Sequence, residues 1–192
     1  MHPDKFGDSY DIVKRSLLQW LSPCGTWAVH PMFGDPAPPG FAEEFSAFLG
    51  VPLLTTEPVP SRRQRASYFE GAAEWSATDH LFLDPDTGLA LPGSKSGPEH
   101  IGTEELVNIV HERHGKLALV FDQAFSYNSD RLQKTREKLA WLKEHGAYSL
   151  VYYSHANFVL ASSEEEVLSS ARRTLEVESG LPRSRLITYR DA

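Results

Sequence analysis

The stretch His80-Leu81-Phe82-Leu83-Asp84-Pro85-Asp86-Thr87-Gly88-Leu89 decides how the chain is read. A short apolar run reads as a buried strand. It stops at Asp84, which the following proline biases toward an extended backbone and which therefore closes the strand. Gly88 then permits a turn that a Cβ would resist. The pattern places one carboxylate at the end of a buried strand and a second two residues further on. In open α/β sheets, ligands bind outside the carboxyl ends of the strands. The plainer reading of the same residues is an Asp-rich turn.

Outward from this segment, strands alternate with helices. Lys116 to Phe121 is a second apolar strand, stopping on Asp122-Gln123. Tyr148 to Tyr153 is a third, stopping on Ser154-His155, and Phe158 to Ala161 returns beside it as a hairpin. An early strand over Thr26 to Phe33 ends near His30 and Asp35, and Val51 to Thr56 forms another that ends near Glu57. Ser67-Tyr68-Phe69 and Leu186 to Tyr189 are short strand candidates. Helices are expected over 8–21, from Phe41 to Leu49, over 103–114, over 129–145, and from Ser163 to about Ser179. Asp8 should cap the first, with Tyr10, Val13, Leu17, Trp20 and Leu21 on its inner face and an Asp11–Arg15 pair outside. Thr103 should cap the helix over 103–114, and a Ser163/Glu166 capping box should open the last helix. Residues 90–102, rich in Gly, Pro and Ser and carrying Lys95, read as a mobile loop. The expected fold is a single α/β domain over 1–192: a mostly parallel, Rossmann-like sheet flanked by helices, with an antiparallel hairpin toward the C-terminus.

Composition narrows the function classes. The chain has 192 residues with 41% hydrophobic content and a net charge of −7. That charge argues against non-specific coating of nucleic acid, although a local basic patch such as Arg62, Arg63 and Arg65 stays compatible with it. The plainer reading of that cluster is a solvated loop. Cys24 is the sole cysteine, so neither an internal disulfide nor a multi-thiolate zinc site can form. No stretch approaches the ~18 apolar residues of a membrane span, and no secretory leader pattern opens the chain, so a cytoplasmic protein without membrane partners is expected.

The strand ends supply the chemistry. Asp84, Asp86, Asp122 and His155 should all approach one edge of a parallel sheet. A Ser-His-Asp triad is disfavoured, because Ser154 and His155 are adjacent and no G-x-S-x-G elbow exists. His111 and His114 lack H-E-x-x-H spacing, and neither glycine-rich nucleotide motif is present.

Two blocks carry a family resemblance. The first is Phe6-Gly7-Asp8-Ser9-Tyr10-Asp11-Ile12-Val13-Lys14-Arg15; the second begins Leu83-Asp84-Pro85-Asp86. Together they resemble the S-adenosylmethionine-dependent enzymes that methylate N6 of adenine in 23S ribosomal RNA. Those enzymes pair an N-terminal G-N-x-A-D-V-L-K-H with a later Asp-Pro-Pro-Tyr. The chain is also similar to uncharacterised bacterial and phage proteins that pair G-D-x-x-D-(I/V)-V-K with D-P-D-(N/T)-G. The methyltransferase resemblance implies S-adenosylmethionine as cofactor, held by Gly7, Asp11, Lys14, His30 and Glu57, with Asp84 against a target amine; the strand ends add Asp122 and His155 as catalytic candidates. An RNA or DNA substrate follows from the same comparison. Three departures stand out: Arg15 replaces the histidine, Asp86 the second proline, and Thr87 the aromatic that would stack on a flipped base.

Three readings follow. One is a methyltransferase-like enzyme working by in-line displacement and positioning. The second is a metal-dependent phosphoesterase or nuclease, with Asp84, Asp86 and Asp122 holding Mg²⁺ or Mn²⁺ through oxygen. The third is a binding module on the same scaffold without catalysis.

Overall fold

The structure, a computed structural model, describes residues 3–60, 62–70, 75, 79–94, 97, 99–125 and 130–191. Its elements run in the order α1 (Ser9–Trp20), β1 (Trp27–His30), α2 (Phe41–Leu49), α3 (Arg62–Glu70), β2 (His80–Leu83), β3 (Gly88–Ala90), β4 (His100–Gly102), α4 (Thr103–Glu112), β5 (Ala118–Asp122), α5 (Arg131–Glu144), β6 (Tyr148–Tyr152), β7 (Asn157–Ser162), α6 (Glu165–Thr174) and β8 (Leu186–Thr188). Six strands form one sheet in the order β1-β2-β5-β7-β6-β8.

The sheet is mixed rather than mostly parallel, which corrects the sequence expectation. β1, β2 and β5 are parallel. β7 then runs antiparallel to both β5 and β6, and β8 antiparallel to β6. The reversal has a local cause. β6 and β7 are joined by a connection too short for a crossover, so they must pair antiparallel. This is the expected hairpin, but its second strand, not its first, lies against β5.

Side chains alternate across a strand, and the alternation sorts the apolar residues into two cores. Trp27, Val29, Phe82, Leu119, Phe121, Phe158 and Leu160 face one side, covered by α1, α2 and α6 through Leu17, Leu18, Phe45 and Leu168. Leu81, Leu83, Ala118, Val120, Val159 and Ala161 face the other, covered by α3, α4 and α5 through Phe69, Leu106, Val110, Leu139 and Leu142. The first is the α1 face of the sheet and the second the α5 face.

Several local expectations shift. The strand over 51–56 shrinks to a single parallel bridge of Leu53 with Val29, on the outer edge of β1. Val29 N–H donates to the Pro52 carbonyl and Leu54 N–H to the Val29 carbonyl, both at 2.9 Å. Pro52 has no N–H with which to extend the ladder. Ser67-Tyr68-Phe69 belongs to α3, where Gln64, Arg65 and Ala66 are good helix formers. The 90–102 segment is bounded by two short strands, Gly88–Ala90 and His100–Gly102, which pair as a small parallel sheet. Gly102, not Thr103, caps α4, and the Glu105 side chain accepts the Gly102 N–H at 2.8 Å. α6 opens on Glu164, whose N–H donates to Ser162 Oγ at 3.1 Å. Among the described residues, no helix is long and apolar enough to cross a membrane.

Candidate functional site

The α1 face of the β2 terminus holds a buried charged cluster. Asp8 caps α1 by accepting the N–H groups of Tyr10 and Asp11, which starts the helix with Asp11 and Lys14 turned inward. Lys14 Nζ donates to Asp11 Oδ1 at 2.8 Å and to Asp84 Oδ2 at 2.9 Å. Asp11 Oδ2 accepts the Gly7 N–H at 2.8 Å. Relative exposure is 4% for Lys14, 1% for Asp11 and 0% for Asp84. Asp11 therefore pairs inward with Lys14 rather than outward with Arg15; the Arg15 guanidinium lies over the Phe48 ring instead. The Lys14 ammonium sits 4.6 Å from the Phe121 ring centroid.

The electrostatics follow from burial and pairing. Burial disfavours the Lys14 ammonium, but Asp84 and Asp11 together more than offset this and hold its pKa above the ordinary value. Burial pushes the Asp84 carboxyl above the ordinary aspartate value, against the pull of Lys14. A cavity of about 60 Å³ opens beside the cluster, lined by Tyr10, Asp11, Lys14, Asp84, Asp86 and Gln123 among others. Asp86 is exposed in the turn.

Asp122 lies at the same sheet edge but on the opposite face. Register pairs Leu83 of β2 with Val120 of β5, so Asp84 stands level with Phe121 and Asp122 lies one residue further on. One residue of offset changes the face. Asp122 consequently meets α5, where Lys138 Nζ donates to its Oδ2 at 2.7 Å and its Oδ1 at 3.0 Å. Oδ1 also accepts the N–H groups of Leu89 and Ala124, at 3.0 and 3.1 Å. Burial lowers the Lys138 pKa against the pull of Asp122.

The Asp-Pro-Asp-Thr-Gly turn ties the two faces together. It leaves Asp84 on the α1 face, crosses the end of β5, and delivers Leu89 to Asp122. Gln123 N–H donates to the Thr87 carbonyl at 2.8 Å on the way. Gly88 makes this approach possible. Its φ is +133°, and a Cβ there would lie 2.4 Å from Asp122 Oδ1 and 2.7 Å from Asp122 Cα.

The expected set thus converges on one edge but not on one site. Gly7, Asp11, Lys14 and Asp84 do meet. His30 is buried on the α5 face of β1 instead. Its Nδ1 accepts the Met32 N–H at 3.1 Å, which leaves Nε2 to donate to the Tyr68 hydroxyl at 2.5 Å. Burial pushes its pKa down to about 3. The Trp75 ring lies 4.6 Å from the imidazole centroid. Met32, with φ +49°, is held in the left-handed region directly after this strand, a conformation a side chain resists. Glu57 is exposed in a loop beyond the single bridge, where its N–H donates to Thr55 Oγ1. His155 is exposed at the β6–β7 hairpin tip, and Ser154 Oγ donates to the Ala156 carbonyl at 2.6 Å.

A three-carboxylate metal site from Asp84, Asp86 and Asp122 does not assemble. The two buried members face opposite sides of the sheet, and each is engaged by a lysine. Among the described residues, no group of three His, Cys, Asp or Glu is placed to hold a metal ion. In the basic cluster, Arg65 Nε donates to Glu105 Oε1 at 2.6 Å and so braces α3 on α4; Lys95 and the side chains of Arg62 and Arg63 lie outside the described residues.

Sequence reasoning passed over Lys138 and Phe121. Lys138 was visible as a cation on the inner stripe of α5, with Thr135, Leu139 and Leu142. Lys14 carries the same mark on α1, between Asp11 and Leu17. A lysine on an apolar helix face requires a buried counter-charge. Comparisons of the chain with protein-family models, with curated proteins and with solved structures find no match.

Proposed function

We propose that the chain is a methyltransferase-like protein, possessing an Asp11–Lys14–Asp84 centre at the ligand-binding edge of the sheet. The observation that carries this reading is the contact of Lys14 with both Asp11 and Asp84. It joins the two sequence blocks behind the resemblance across 70 residues of chain. With the fold the resemblance implies, the chain shares the α/β layering and the parallel run of β1, β2 and β5; the rest of its sheet is antiparallel.

The described residues fit S-adenosylmethionine poorly as they stand. Cofactor-sized pockets run to roughly 300–1,000 Å³, whereas the cavity beside Asp84 is about 60 Å³. His30 faces away from Lys14, and Glu57 lies outside the sheet edge. The chain's own residues can do one thing here: Asp84, its carboxyl raised in pKa by burial, accepts a proton at Oδ2 when the Lys14 contact opens and Lys14 stays with Asp11. A nucleic-acid amine is the substrate class the resemblance suggests. The same small cavity and the Lys14–Asp84 contact favour a second reading, a scaffold that binds without catalysis.

Calorimetric titration with S-adenosylhomocysteine separates the two. Binding that is lost in Lys14→Met supports the methyltransferase-like reading, provided the variant retains its circular dichroism. No heat at millimolar ligand, together with no transfer of labelled methyl to RNA or DNA, would overturn it.

A further inference from the structure

A second pocket, of about 390 Å³, opens on the α5 face of the sheet, between the β3–β4 unit and α5. Its size falls within the usual range for small-molecule sites, roughly 300–1,000 Å³. It lies on the far side of Gln123 from Asp84, and Gln123 lines both cavities. Leu91 and Phe125 supply apolar wall, while Lys134, Lys138 and His100 supply polar lining. No acidic residue is among the described residues that line it, in a chain whose net charge is −7.

The two lysines are not equivalent. Lys138 Nζ spends its donors on both Asp122 oxygens and on the Ala124 carbonyl, and it lies 4.4 Å from the Phe125 ring centroid. It is a fixed post. Lys134 is 46% exposed and holds Glu137 at 2.6 Å, an i,i+3 pair on the helix surface. Such exposed pairs contribute little, so holding Glu137 costs Lys134 little of its capacity to meet another anion. The pocket's lining contains no arginine fork to match a planar carboxylate, whereas a lysine acts as a point charge toward phosphate.

We propose that this pocket binds a nucleoside monophosphate, with its ring against Leu91 and Phe125 and its phosphate at Lys134. The inference does not rest on the methyl-transfer reading, because the pocket lies on the opposite face from Asp84 and shares only Gln123 with that centre. The test is an NMR titration of the full chain with adenosine monophosphate, adenosine and inorganic phosphate, each without S-adenosylmethionine or its analogues. The monophosphate should perturb the backbone signals of Leu91, Gln123 and Phe125, and bind at least about tenfold more tightly than either fragment. Lys134→Ala, an exposed position, should weaken it about tenfold while leaving the spectrum of the free protein intact. Phe125→Ala should weaken the monophosphate and adenosine but not phosphate. No perturbation at millimolar monophosphate, phosphate binding as tightly as the monophosphate, or full affinity in Lys134→Ala would each overturn the proposal. A failed S-adenosylhomocysteine titration leaves this result untouched, and the reverse also holds.

Discussion

Asp84 and Asp122 occupy equivalent places on neighbouring parallel strands. Each ends the apolar run of its strand, each is almost wholly buried, and each receives a lysine from a helix packed on the sheet. They differ in everything beyond that. Asp122 is braced by one lysine and by the Leu89 and Ala124 N–H groups, so its carboxylate holds the backbone of two loops in place. Asp84 shares its lysine with a second acid, Asp11. The Asp122 pair therefore braces the turn, whereas the Asp84 carboxylate depends on a lysine that a second acid also engages. A buried carboxylate is a weak functional signal; what surrounds it decides the role.

Four changes would break or sharpen this comparison. Lys14→Met should be the most costly, about 3–5 kcal/mol in urea unfolding at neutral pH, because two buried carboxylates lose the ammonium they share. Its cost should shrink in acid, where Asp84 takes up a proton. Gly88→Ala should follow at about 3 kcal/mol, since the new Cβ meets Asp122 and the backbone is held at a positive φ. Lys138→Met should cost less, about 2 kcal/mol, because Asp122 keeps two N–H donors. Equal losses in Lys14→Met and Lys138→Met would erase the distinction between a divided and a dedicated lysine. His155→Ala should be nearly silent, within about 0.5 kcal/mol, as expected of an exposed hairpin tip.

His30 adds a pH dependence of opposite sign to that of Asp84. Its pKa is lowered from 6.5 to about 3 in the folded chain. The unfolded chain thus binds a proton first as pH falls, and the His30 contribution to stability is present above 6.5 and lost toward about 3. Asp84 is raised, so the folded chain binds its proton first; that contribution is present in acid and lost as pH rises through the folded value. Urea midpoints across pH should show the His30 loss in the parent chain and a flatter profile in His30→Gln. An imidazole that titrates near 6.5 by NMR would show the ring to be solvated instead.

Much of the architecture was legible locally. Helical periodicity and the Asp8 cap located α1, and apolar runs located β2, β5, β6 and β7, because each signal lies within a few residues. The G-D-x-x-D-x-V-K block and Asp-Pro-Asp were separately conspicuous, and the fold joined them. The sequence misled where local and tertiary preferences compete. Tyr68 and Phe69 have strand-like side chains but lie on a helix whose Phe69 fills the α5-face core. The 90–102 segment, despite its glycines and prolines, ends in a short strand that pairs back on β3.

By itself, the sequence determined that Asp84 and Asp122 would end buried strands, since the apolar runs and, at Asp84, the following proline act along the chain. Only the tertiary structure decided that they face opposite sides. That outcome rests on a one-residue register offset between β2 and β5 and on which helix covers which face. Both are set by packing between segments far apart in sequence, where neither strand alone carries a preference.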